Sequence, residues 1–488
     1  MTVLPEALLY IDGKLHPAQG GRTFPNVSPW SNEVIGYAAD ADASDIEEAI
    51  ASARRAFDKT DWSRDKDLRV ELVTRLRDLM RANRDRIAEI LRHEAGATLG
   101  SLRVPHLDWG LDGFDDLLRQ FPEVTWQQSR GRRNEWGFTS ERLVVREAIG
   151  VVGAITPWNA PVFVNIAKLV SALLAGCTVI LKPAPDTPHS GAIFGELAAQ
   201  AGFPAGVLNV LTASDPVEAG ETLVTDPRVD LISFTGSTGV GKRIMEKSAQ
   251  TLTRVFLELG GKSAKIVLED DPNFIASVKN SLLTTNAGQG CASLSRLLVP
   301  RNRYAEATEA LKEAVADYET RWGEFDNPTH TMGPVINQKQ RDRILDFIRI
   351  GQEEGATLLA GGKARPDKGN GWFIEQTVFT DVTNDMRIAQ EEIFGPVLVV
   401  IPFEDDEDAI RIANDSEFGL SGGVSSGDEA RALRIAHRMR TGTVGVNGGM
   451  CITSDLPFGG YKVSGIGREW GVEGIEEYLE TKVISIKR

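Results

Sequence analysis

From residue 149 onward the chain alternates short apolar runs with stretches of helical periodicity, and few architectures accept that order. A strand lying parallel to the one before it needs a crossover, and a helix packed on the sheet is the usual one. Ile149–Ile155 is a strand, and Pro161–Leu174 is a helix with proline in its first turn, where the missing N–H has no partner to lose. Ala175-Gly176 turns the chain into a strand at Thr178–Lys182, a helix follows to Gln200, and Val207–Leu211 is the next strand. Val229–Phe234, a helix from Val240 and Thr253–Leu257 complete the block. A doubly wound α/β sheet of this kind binds ligands beyond the carboxyl ends of its strands. A second alternating block has strands at Ala264–Leu268, Leu297–Val299, Val397–Phe403, Leu420–Ser425 and Thr443–Val446, and it needs a core of its own.

The first hundred residues read as helical, opening on a capping box at Ser44-Asp45-Ile46-Glu47. Ile46, Ala49, Ile50, Ala53 and Phe57 recur at helical spacing, as do Val70, Val73, Leu76, Leu79 and Met80. Glu141–Ala148 and Glu480–Arg488 look like exposed strands, whose edges an inter-subunit sheet would cover. With 54 Lys+Arg against 69 Asp+Glu the net charge is −15, which argues against nucleic-acid and anionic-membrane partners. The N-terminal MTVLPEALLYIDGKLHP lacks the basic and apolar segments of a leader. The longest nearly apolar stretch, Leu169–Leu181, falls short of the roughly 20 residues that span a bilayer. A cytoplasmic protein is expected.

Three cysteines, at 177, 291 and 451, are too few and too scattered for a disulfide framework or a zinc knuckle, and neither HExxH nor CxxC occurs, so no metal site is expected. Cys177 lies in an apolar strand entry and reads as packing. Cys291 differs: it sits among small and polar residues in Asn286-Ala287-Gly288-Gln289-Gly290-Cys291-Ala292-Ser293, a loop able to present a nucleophilic thiol. None of the histidines, at 16, 93, 106, 189, 330 and 437, stands in a base or metal motif. Phe234–Lys242 follows a strand and opens a helix, so it is either an anion-binding turn or a tight connection without a ligand. Glu258, at a strand end, is either a desolvated general base or a carboxylate paired with Lys262. Asn159 is either an oxyanion donor or an ordinary helix N-cap.

Together and in this order the segments resemble the aldehyde dehydrogenase superfamily over essentially the whole chain. The motifs are PWN at 157–159, KPAP at 182–185, FTGSTGVGK at 234–242, LELGGKSA at 257–264, GQGC at 288–291, EEIFGPV at 391–397 and PFGGYKVSGIGRE at 457–469. The resemblance implies a Rossmann-like NAD(P)-binding domain over 1–124 and 149–258, a catalytic α/β domain over 259–456, and oligomerisation strands at 125–148 and 471–488. It implies Cys291 as the nucleophile that forms a thiohemiacetal and then a thioester, with Asn159 and the Cys291 N–H holding the oxyanion. Glu258 would activate the hydrolytic water, and Lys168 with Glu469 would relay its protons. The implied cofactor cleft holds Ile155, Trp158, Lys182, Pro185, Gly220, Gly236, Ser237 and Gly241, with Glu392 and Phe394 clamping the nicotinamide ribose. Ala160, Phe163, Val164, Ala167 and Cys451 would line the aldehyde tunnel, and a homodimer or homotetramer is implied.

The chain departs from the common pattern at Pro185, where many NAD-preferring relatives carry a Glu that accepts from the adenosine ribose. Without that carboxylate NADP is admissible, and the neighbouring Asp186 could replace it, so NAD stays narrowly ahead. Small residues at the tunnel entrance point to a hydrophobic aldehyde, whether aromatic, terpenoid or medium-chain. A semialdehyde or phosphorylated-aldehyde dehydrogenase and a non-catalytic structural relative are the alternatives.

Overall fold

The computed structural model of the chain describes residues 4–318 and 326–488. Residues 1–3 of the stretch read for a leader, and residues 319–325 of the second block, lie outside the described residues.

Val151–Ile155, Thr178–Lys182, Leu208–Val210, Leu231–Thr235 and Arg254–Glu258 form the parallel core of the first sheet, matching the apolar alternation. The chain lays down the middle strand Val151–Ile155 first, winds out through Thr178–Lys182 and Leu208–Val210, then returns to the other side with Leu231–Thr235 and Arg254–Glu258. The order reverses beside Val151–Ile155, and a crevice opens there beyond the carboxyl ends. The crossover Pro161–Ala175 is buried along almost its whole length, which explains why it is apolar all round. It ends at Gly176, whose left-handed φ of 99° a side chain would resist.

Residues 4–39 depart from the helical expectation. Leu9–Ile11 and Lys14–His16 extend one edge of the first sheet antiparallel, and Thr23–Val27 pairs with Val34–Ala39. Leu9–Ile11 is buried at every position, so it carries no alternation to read. The first long helix is Ala43–Lys59, and its cap is Asp42, not Ser44: the Asp42 carboxylate accepts from the N–H groups of Ser44 and Asp45, and Asp45 reaches back to the Asp42 N–H.

The second sheet runs in the order Thr357–Ala360, Thr377–Thr380, Val397–Phe403, Arg296–Pro300, Ala264–Val267, Ser421–Ser425, Thr443–Val446, parallel except for its first pair. Thr357–Ala360 and Thr377–Thr380 escaped the sequence reading because they are short and set among turn residues. Only Leu259–Ser263 joins the carboxyl end of Arg254–Glu258 to the amino end of Ala264–Val267. The carboxyl edge of one sheet therefore meets the amino edge of the next, and the Arg296 N–H donates to the Ser263 carbonyl at 3.1 Å.

Gln127–Glu135, Phe138–Ala148 and Leu479–Lys487 form a separate antiparallel sheet, with Val144 opposite Val483. The strand expected over 471–488 begins only at Leu479. Gly471–Glu476 is a helix, because Ile475 and Tyr478 are buried in the first core and cannot join an exposed strand. Among the described residues no helix is long and apolar enough to cross a membrane.

Candidate active site

Strand register builds the first wall. Ile155 lies opposite Lys182 and Phe234, and one residue further on Thr235 lies opposite Glu258, so they fill two successive rows at the carboxyl edge. The Gly236 N–H donates to the Glu258 carbonyl at 3.1 Å, and Ser237 caps the helix Thr238–Ser248. A Cβ on Gly241 would stand 2.6 Å from Leu259 Cδ2, so only glycine lets that helix press onto the strand end. Gly220, on the helix Pro216–Thr225, faces Ile155. Lys182 is buried, the hydrogen bond of its ammonium being a 3.4 Å contact to the Pro183 carbonyl, and burial lowers that ammonium to about 8. Pro185 is half-buried beside Asp186, whose carboxylate accepts from Asn337 Nδ2 at 2.8 Å.

Two glycines bring the second wall close. A Cβ on Gly260 would fall 2.2 Å from Glu392 Oε2, and one on Gly261 would fall 2.6 Å from the Cys291 carbonyl. The Gly261 N–H donates to Glu392 Oε1 at 3.0 Å, and burial raises the Glu392 carboxyl to about 7. Trp158 meets Phe394 edge-on, ring centroids 5.4 Å apart. Trp158, which follows the strand Val151–Ile155, and Phe394, which precedes the strand Val397–Phe403, thus come together from segments leading out of the two sheets.

Between the walls, the Cys291 thiol and the Glu258 carboxyl lie close enough for each to shift the other's titration, and Glu258 Oε1 is buried without a hydrogen-bond partner. Burial, and then the nearby Glu469, hold the Glu258 carboxyl well above the usual carboxylate range, with Lys168 opposing them. Burial, followed by Glu258 and Glu392, holds the Cys291 thiol well above its ordinary value. Glu258 is not paired with Lys262, whose buried Nζ has no hydrogen-bond partner. Asn159 is not a helix cap either: Ala160 takes that position, while Asn159 Nδ2 donates to the Gln289 carbonyl at 3.1 Å. Lys168 Nζ donates to Glu469 Oε1 at 2.5 Å and to Ser233 Oγ at 3.2 Å, both ion-pair partners being buried. Cys177 is fully buried, which pushes its thiol up to about 12, in keeping with a packing role. Among the described residues no three His, Cys, Asp or Glu side chains gather as a metal would need.

The model of the aldehyde dehydrogenase family matches residues 16–484. The chain belongs to the aldehyde dehydrogenase family. Among its relatives is a 3-succinoylsemialdehyde-pyridine dehydrogenase from a Pseudomonas species, 40% identical and covering 97% of each chain. The structure of a Mycobacterium tuberculosis aldehyde dehydrogenase complexed with NAD+ aligns with a TM-score of 0.94 at 38% identity, covering 99% of this chain and 98% of that one. A mutant aldehyde dehydrogenase C from Pseudomonas syringae, complexed with NAD+ and octanal, aligns with a TM-score of 0.90 at 36% identity, covering 98% and 96%.

Ala160, at the cap of the helix Pro161–Ala175, and Val164 and Ala167 within it are buried, while Phe163 is only partly so. Phe163 is sandwiched between Trp109, at 4.9 Å, and Trp470, at 4.8 Å between ring centroids. Trp470 fits because Gly113 has no side chain: a Cβ there would stand 2.5 Å from the indole. Cys451 is half-buried, and burial raises its thiol. Sequence reasoning missed Trp109 and Trp470, along with Asn286 and Gln289, which brace the loop that carries Cys291. The one signal for the tryptophans was the pair Gly110 and Gly113 at helical spacing beside Trp109, which marks a close approach.

Proposed function

We propose that the chain oxidises an aldehyde to the carboxylic acid with NAD(P)+, through covalent attachment at Cys291. The observation that carries this is the meeting of the Cys291 thiol, the Glu258 carboxyl and the Asn159 amide at the junction of the two sheets. The cofactor fits the residues present. The helix start at Ser237 offers N–H groups to a pyrophosphate, the buried Lys182 lacks a carboxylate partner within its hydrogen-bond range, and Glu392 presents a half-buried carboxylate to ribose hydroxyls. When bound, the nicotinamide supplies the hydride acceptor.

The residues of the chain do the rest. Cys291 gives its proton to the Glu258 carboxylate, which passes it on toward the Lys168–Glu469 pair, as the sulfur bonds to the aldehyde carbon, and the oxygen that becomes negative is held by Asn159 Nδ2 and the Cys291 N–H. Because the Gln289 carbonyl already holds one N–H of the Asn159 amide, the other is left for the oxyanion. Loss of hydride from the carbon leaves a thioester. Glu258 then takes a proton from water, which adds to the thioester carbon, and the carbon–sulfur bond breaks to release the acid and the thiol. The buried Lys168–Glu469 pair lies within electrostatic reach of Glu258 and carries the proton onward.

A hydrophobic aldehyde is the substrate class supported by the small residues Ala160 and Ala167 and the aromatic stack on Phe163. The octanal in the Pseudomonas syringae relative accords with this, whereas the Pseudomonas relative named for a semialdehyde keeps that alternative in play. NAD stands narrowly ahead of NADP on the NAD+ bound in both solved relatives, although Asp186, engaged by Asn337, offers less to a ribose than a free carboxylate would. The exposed strand Leu479–Lys487 supports a homodimer or homotetramer.

An aldehyde panel with both cofactors, read at the nicotinamide absorbance, tests the reading. Activity is expected with benzaldehyde and octanal and is abolished by Cys291→Ala. Full activity in Cys291→Ala refutes the covalent mechanism, succinate semialdehyde outpacing both refutes the substrate class, and an NADP advantage above about tenfold refutes the cofactor preference.

A further inference from the structure

His106 lies far from the motifs, in a π-helical turn, Leu102–His106, just ahead of the helix Asp108–Gln120. The turn is closed by the Leu107 N–H donating to the Leu102 carbonyl at 2.9 Å, and Val104 within it leaves helical geometry. The result is a fully buried imidazole whose Nε2 meets Asn286 Oδ1 at 3.2 Å.

The orientation of Asn286 is fixed by its other end. Its Nδ2 donates to the Asn159 carbonyl at 2.8 Å and to the Gln289 carbonyl at 3.2 Å, so both amide protons face acceptors and Oδ1 must turn to His106. His106 Nε2 therefore carries the proton, and Nδ1 is the bare nitrogen, which has no hydrogen-bond partner. Burial pushes the imidazole down to about 4, so it stays neutral through the physiological range.

Asn286 in turn joins the two loops that make the oxyanion site. It grips the backbone of Asn159 on one side and of Gln289 on the other, while Asn159 Nδ2 donates to the same Gln289 carbonyl at 3.1 Å. Asn286 and Ala287 hold left-handed backbone, φ 49° and 50°, a conformation that surrounding contacts must maintain. The Gln289 side chain braces the loop by donating to the Asn286 carbonyl at 3.1 Å and accepting from the Ile336 N–H at 2.9 Å.

We propose that His106 is a positioning residue for aldehyde oxidation, acting through Asn286 to aim the free N–H of Asn159 at the developing oxyanion. The inference rests on the role of Asn159 proposed above. A leucine at 106 leaves Asn286 Oδ1 without a donor, so the amide is free to rotate and release one of the two backbone carbonyls it ties together. The interaction gained as the oxyanion develops is then weakened, while binding of the cofactor is untouched.

The test is a double-mutant cycle read by the rate of the first-turnover burst of reduced cofactor. His106→Leu is expected to slow the burst by about tenfold to a hundredfold with the cofactor Kd unchanged, in line with loss of part of an oxyanion contact. His106→Gln, whose amide can donate to the same oxygen, is expected to recover most of the rate. In an Asn159→Ala background, His106→Leu should cost less than about twofold, because the group it aims is gone. Equal costs in both backgrounds, a wild-type burst in His106→Leu, or no recovery in a folded His106→Gln would each overturn the positioning role. A wild-type burst in Asn159→Ala alone would instead overturn the underlying role of Asn159. If His106→Leu does not fold, His106→Asn, one methylene too short to reach Asn286, replaces it against His106→Gln with the same outcomes.

Discussion

Replacing either member of the buried Lys168–Glu469 pair should shift one and the same titration in opposite directions. Glu469 helps to hold the Glu258 carboxyl high and Lys168 opposes it, so Lys168→Met removes an ally of the carboxylate and Glu469→Gln removes an opponent. A unit charge roughly 6 Å away is worth about 3 kcal/mol at an effective dielectric of about 20, so each substitution moves the titration by about one to two pH units. If deacylation limits turnover, kcat rises as Glu258 loses its proton. The rising limb of kcat against pH then moves to higher pH in Lys168→Met and to lower pH in Glu469→Gln. Both variants also leave a buried charge without its partner, at a cost of about 3–5 kcal/mol, whereas Lys168→Met combined with Glu469→Leu should recover most of that stability. The assays are kcat against pH at saturating aldehyde and cofactor, and thermal unfolding of the three variants. Limbs that move together, or that coincide with wild type while the stability changes appear as stated, would refute the electrostatic coupling and leave the pair a purely structural one.

Further substitutions probe the close approaches. Gly241→Ala puts a Cβ 2.6 Å from Leu259 and should push the helix off the strand end, raising the Kd for NAD+ by about tenfold or more in a cofactor titration while the midpoint of urea unfolding changes little. Gly113→Ala drives into the Trp470 indole and should cost about 1–3 kcal/mol by urea unfolding, with a lower kcat/KM for the aldehyde because Glu469 is the preceding residue. Lys262, lowered by burial from 10.5 to about 7, contributes stability that is complete above 10.5 and lost as pH falls toward 7. Lys262→Met should therefore gain a few kcal/mol over wild type at pH 7 and much less near pH 10, and equal gains at both would show the amine to be solvated.

The parallel sheet was legible because each of its strands is a continuous apolar run between helices, a pattern with few competing folds. Glu258, Cys291 and Asn159 could be singled out by their positions at strand ends and in a glycine-flanked loop, yet Glu258 and Asn159 each kept a plausible structural alternative. Geometry decided two of them: Lys262 does not reach Glu258, and Ala160 rather than Asn159 starts the helix. The strands within residues 4–39 were illegible because Leu9–Ile11 is short and wholly buried, which erases its alternation. His106 was passed over because its significance lies in Asn286, 180 positions away, and no local pattern encodes a contact of that range. Trp109 and Trp470 likewise come from distant segments and meet only across Phe163.

Burial of the Cys291 thiol has a consequence for the durability of the protein. Peroxides and electrophiles attack thiolates, and a thiol held far above its ordinary pKa offers them very little. At rest the desolvation of Cys291 and its carboxylate neighbours favour the thiol, and on the proposed mechanism a thiolate forms only when the residue is called on to react. Oxidative loss is thus set by the number of turnovers completed more than by the time spent waiting.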